Sequence, residues 1–209
     1  MRLVSSLLLV AALAGCAEMR TPATTSRIPA VLTAGSADPV RGMLAEAAGA
    51  FADGGRSMLG DPARLARAGA QLELVTAELA RDPRWAPLPS GVNLEMRAAR
   101  TELRAALGTR AGAGPDEVAR ALAAAHLALV RGDRAAAAAA LTPALFEPGG
   151  AVVLARLSNP GPLPQARIAT GLAQTEVSGL AASRIGGITG ALDPDALLLD
   201  PRPGARPGR

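Results

Sequence analysis

Apolar residues recur at three- and four-residue spacings through most of this chain, the period of a helix with one buried side. The clearest stripe is Leu65, Ala68, Leu72, Val75 and Leu79, which predicts a helix over 62–81. Arg64, Arg67, Gln71 and Glu78 fall off that stripe and read as the polar side of the same helix. Val40, Leu44, Ala47 and Phe51, with Met43 beside them, predict an earlier helix ending at Gly54-Gly55. Met96, Ala99, Leu103 and Leu107 predict a third helix beginning after Asn93. Val118, Leu122, Ala125 and Leu129 predict a fourth opening at Pro115.

The punctuation agrees with the periodicity. Asp38-Pro39 and Asp61-Pro62 each offer a carboxylate to cap a helix and a proline at its first position, where an N–H would be unpaired anyway. Asp82-Pro83 stops the second helix, and the Gly/Ala stretch from Gly108 to Gly114 forms a loop. Gly132-Asp133 reads as a stop followed by the cap of a fifth helix over 134–142. The apolar run 151–157 is either a strand or a buried helical turn, and 158–164 is a proline-rich break. A last helix is predicted over 165–184, weakened by Gly171 and Gly179. Trp85, in a proline-rich turn, is expected to plug the core, because so large an apolar surface favours burial.

Composition narrows the fold class. Alanine is the most frequent residue, and the aromatics are Phe51, Trp85 and Phe146. Strand formers are sparse and the best helix former abounds. The expectation is an all-α small bundle of about five or six helices occupying 38–199. A flexible tether over 16–37 precedes it and a disordered, Pro/Gly/Arg-rich tail over 200–209 follows. The stretch 125–148 resembles one helix-turn-helix unit of tetratricopeptide repeats, with a Gly-Asp turn, small residues in its second helix and a closing proline. An isolated antiparallel helix pair explains it equally well, and no second copy stands ~34 residues away.

The first fifteen residues have another character. Arg2 precedes an apolar run over 3–13, interrupted by Ser5 and Ser6, and Leu13-Ala14-Gly15 leads into Cys16. The run is shorter than the ~20 residues that span a bilayer and fits a secretory signal. Leu13-Ala14-Gly15-Cys16 is similar to the lipobox of bacterial lipoproteins. The resemblance implies that 1–15 are removed and that Cys16 carries a diacylglycerol and an acylated amino group. With Ala17 next, it implies a protein held in the outer membrane facing the periplasm. Cleavage after Ala14 or Ala17 with a free thiol, or an uncleaved anchor, are the other uses of this segment. Fully extended, 17–37 would reach up to about 70 Å at ~3.3 Å per residue.

Charge and chemistry-bearing residues add limits. Cys16 is the single cysteine, so neither an intramolecular disulfide nor a cysteine-based zinc site is available. The formal net charge of +4 is modest, and no nucleic-acid partner is expected. His126 is the single histidine and borders an apolar stripe. There is no HExxH, nucleophile elbow or phosphate loop. Glu73/Glu78 and Glu95/Glu102 are sequence-near carboxylates that read as solvated helix residues. Arg97, Arg100 and Arg104 share one side of a helix. They are candidates for contact with an acidic partner, lipid headgroups or an anionic polymer, or simply form a charged flank. The expected function is non-catalytic: an interaction or structural accessory of the envelope, with no cofactor and no metal. The rival is a small-ligand accessory or enzyme using a pocket near His126.

Overall fold

The computed structural model describes residues 29–33 and 35–190, with side chains described to residue 183. Cys16, the expected signal over 1–15, the end of the expected domain over 191–199 and the expected tail over 200–209 lie outside the described residues. Within them the chain forms seven α-helices, three short 3-10 turns and no strand. The helices are α1 (Pro39–Phe51), α2 (Pro62–Arg81), α3 (Ser90–Leu107), α4 (Pro115–Val130), α5 (Arg134–Ala140), α6 (Gly150–Ser158) and α7 (Pro164–Gly190). The architecture is an all-α bundle, with one helix more than the expected five or six. The addition is α6, where Val153, Leu154 and Leu157 turn one buried face inward. The alternative of a strand over 151–157 is thereby excluded.

The helix starts follow from local chemistry. The Asp38 carboxylate accepts the Arg41 backbone N–H at 3.3 Å, Asp61 accepts that of Arg64 at 2.9 Å, and Asp133 accepts that of Ala136 at 2.8 Å. Each such cap contributes about 1 kcal/mol. Helix α3 begins at Ser90 rather than after Asn93, because buried Val92 extends its apolar stripe back one turn. It ends at Gly108, whose φ of +74° is left-handed. A Cβ there would also lie 2.5 Å from the Arg156 guanidinium and 2.9 Å from the Pro148 ring. The loops after α3 and α5 are joined by an isolated antiparallel bridge between Thr109 and Phe146.

Helix α2 is the centre. It packs most extensively on α4, and also on α1, α3 and α6. Every residue from Leu65 to Leu79 is buried except Arg67 and Glu78. This corrects the sequence reading of Gln71 and Glu73, which are 1% and 0% exposed. An amphipathic pattern marks the most apolar side of a helix; it does not show whether the other sides are covered as well. Small residues make the coverage feasible. A Cβ on Gly69 would lie 3.1 Å from Leu103 of α3 and 3.4 Å from Leu122 of α4.

The segment before α1 is also part of the bundle. Leu32, in the 3-10 turn Ala30–Leu32, is fully buried, and its carbonyl accepts a hydrogen bond from the Gln71 side chain at 3.0 Å. The stretch expected to be tether over 16–37 is therefore docked at Leu32. Trp85 is buried as expected, at 2% exposure. The guanidinium groups of Arg84 and Arg41 lie 4.3 and 5.4 Å from its ring centroid, within cation–π range. Arg84 also pairs with Asp38 at 3.2 Å, tying the start of α1 to the turn after α2.

Helix α7 extends past the predicted 184 to Gly190, packing on α1 and α3. Its Gly171 and Gly179 face open space and mediate no close helix contact. The two kinds of glycine should respond oppositely to a side chain. Gly69→Leu should lower the unfolding free energy in urea by about 1–3 kcal/mol through overpacking. Gly171→Ala should raise it by up to ~1 kcal/mol through helix propensity.

Candidate functional site

The arginine stripe of α3 does not present three equivalent charges. Arg97 is exposed and donates to the Asn93 carbonyl of its own helix at 3.1 Å. Arg100 is half-buried; burial pushes its guanidinium down, and the nearby Glu73 charge pulls it back. Arg104 is committed inward. Its Nε and Nη2 donate to the two Glu73 carboxylate oxygens at 2.6 and 2.7 Å, and Nη1 donates to the Ala113 carbonyl at 2.9 Å. This is a fork-on-fork pair, the strongest geometry available to arginine. Burial pushes the Glu73 carboxyl up, and Arg104 offsets part of that rise.

The other carboxylates singled out by sequence also have structural partners. Glu102 accepts the backbone N–H groups of Gln165 at 3.1 Å and Ala166 at 2.9 Å. It thus caps the start of α7, where unpaired donors and the helix dipole favour a negative charge. Glu95 accepts a hydrogen bond from the Gln165 amide. Both hold α7 against α3, which corrects their reading as merely solvated. His126 is half-buried, with Nδ1 at 2.9 Å from the Ala63 carbonyl, where α4 meets the first turn of α2. Among the described residues no group of three or more His, Cys, Asp or Glu is gathered to hold a metal, and no helix is long and apolar enough to cross a membrane.

A concave feature lies between α1 and α2. It is an open groove of about 450 Å³ lined by Ala45, Glu46, Gly49, Ala50, Arg64, Arg67, Ala68 and Gln71. The helical period places Ala45, Gly49 and Arg64, Arg67, Ala68 along two facing edges. Arg67 and Gln71 both donate to one oxygen of Glu46, each at 2.6 Å. The Arg67 Nε is shielded from solvent and has no acceptor among the described residues. Arg64 is exposed, with a long 3.4 Å contact to the Ser57 carbonyl. Sequence reasoning placed Arg64 and Arg67 on a polar side but could not pair them with Glu46 and Gly49, which belong to another helix. A second recess of about 370 Å³, between the α1–α2 and α6–α7 connections, holds Arg56, Leu163 and Arg167.

No family model, curated protein or solved structure matches this chain.

The Glu73–Arg104 pair yields two expectations. Arg104→Ala should cost about 3–5 kcal/mol in urea unfolding, because it strands a buried carboxylate. Arg97→Ala should stay within ~0.5 kcal/mol. The pH dependence has a defined sign. A carboxyl whose folded-state value is raised binds its proton more tightly when folded, so its contribution is fullest at low pH. The stability advantage of the native protein over Glu73→Gln should therefore shrink as pH rises from the ordinary glutamate range through the raised value. A growing advantage in paired urea titrations would show that Arg104 outweighs burial.

Proposed function

We propose that this chain is a lipid-anchored protein of the bacterial envelope whose helical bundle is a non-catalytic interaction module, held by Cys16 in the outer membrane and facing the periplasm. The observation that carries the reading is Leu13-Ala14-Gly15-Cys16 ahead of a chain that docks at Leu32, beside the α1–α2 groove. Gln71 belongs to both features: it binds the Leu32 carbonyl and lines the groove. The bundle thus offers a recess next to the point where the chain arrives from its anchor.

Chain geometry limits the reach. From Cys16 to Pro29 the backbone spans at most about 45 Å at ~3.3–3.6 Å per residue, shorter than a tether over all of 17–37 would allow. Each buried methylene of the lipid contributes ~0.8 kcal/mol, so two or more chains give stable attachment. A partner would then meet the bundle close to the membrane surface.

Metabolic labelling with palmitate and fractionation of the envelope test the anchor. The native protein should take up label and sediment with outer membranes, whereas Cys16→Ser should do neither. An unlabelled, soluble native protein would reject the anchoring.

A further inference from the structure

We propose that the α1–α2 groove binds an acidic peptide segment of a partner protein, with carboxylate side chains against Arg64 and Arg67 and the peptide backbone over Gly49. This names the partner chemistry of the interaction module and rests on that reading. Three observations converge on the groove.

The first is its shape. At about 450 Å³ it is large enough for a ligand, and it is open along the helices rather than closed around a compact molecule. Half of its lining is Ala45, Gly49, Ala50 and Ala68, none of which projects beyond a methyl group. A main chain can approach such a surface closely.

The second is Gly49 itself. A glycine inside a helix is unfavourable unless something requires it. Gly42 has a requirement, since a Cβ there would lie 2.6 Å from the Ser36 side chain, and Gly69 has one in Leu103. A Cβ on Gly49 would meet nothing within 4 Å. Gly171 and Gly179 of α7 are equally unfilled, so what sets Gly49 apart is its place in the groove lining, which its missing side chain deepens.

The third is charge. Arg64 and Arg67 lie three residues apart on the α2 edge, against Glu46 on the α1 edge, leaving one net positive charge. Arg67 reaches Glu46 through Nη2 alone, at an oxygen it shares with Gln71, so its guanidinium is only partly engaged. Arg64 carries no carboxylate partner among the described residues and is exposed. Arginine forks match carboxylates, and the open edge beside Arg64 is where an incoming one meets least repulsion from Glu46.

The test uses the full chain in non-ionic detergent and a fluorescein-labelled, end-capped Ala-Glu-Ala-Ala-Glu-Ala hexapeptide, read by anisotropy. The peptide should bind with a Kd below about 1 mM, and its counterpart with both glutamates replaced by glutamine should bind at least tenfold more weakly. Arg64→Gln and Gly49→Leu should each weaken binding by at least about tenfold. Both sites are exposed, and leucine is the better helix former, so unchanged helical circular dichroism is expected of each variant. Added salt should weaken the interaction. Equal binding of the two peptides, no binding up to that concentration, or undiminished binding by Gly49→Leu would overturn the proposal. Cys16→Ser should bind the peptide like the native chain, so a failure of anchoring and a failure of the groove give different results.

Discussion

A helix covered on almost every side can keep a charge only if a neighbour brings the opposite one. Helix α2 is such a helix, and Glu73 is the charge. Its carboxylate is fully buried, so Arg104 has to come from α3 with both ends of its fork in register. That requirement sets the axial position of α3 against α2, and the third Arg104 bond, to the Ala113 carbonyl, fixes the loop that leads into α4. Well-packed apolar replacements of buried ion pairs are often neutral or stabilising. What the ionic pair supplies is a directional link among α2, α3 and the loop into α4.

The opposite side of α2 solves the same problem with weaker partners. Gln71 is as buried as Glu73 but neutral, and its amide is shared between the Leu32 carbonyl and Glu46. Arg67 joins Glu46 from the solvent side. The consequence is a partly exposed polar seam between α1 and α2, and the groove lies along that seam. Glycine and alanine at the contacts let the other helices approach α2 closely; at Gly49 the same economy of side chain leaves a recess open. The α3–α4 side is held by the Glu73–Arg104 pair and apolar contacts, and the α1 side offers concave surface.

Much of the fold was legible because alanine-rich helices with Asp-Pro starts leave few alternatives. The stripes through Leu44 and Phe51, Leu65 and Leu79, Met96 and Leu107, and Val118 and Ala125 are buried as their spacing predicted. The departures share one cause. Glu73 was read as solvated and Gln71 as polar-side because polarity is a property of one residue, whereas burial depends on what the rest of the chain lays over it. Leu32 lacked periodicity to announce it, and its carbonyl is bound by Gln71, 39 positions away. The run at 151–157 was too short for its period to separate helix from strand; packing on α2, α3 and α5 made it helical.

The candidate site divides in the same way. The chain by itself determined the helices, their caps, and the lone Cys16 behind Leu-Ala-Gly, since each depends on neighbours within a few residues. It also placed Arg97, Arg100 and Arg104 on one helix side. Only the tertiary structure decided that Arg104 is consumed by Glu73 and that Arg64 and Arg67 border a groove with Gly49. A charge is committed or available according to whether an opposite charge reaches it across helices. That is a distance in space, and helix periodicity carries no record of it.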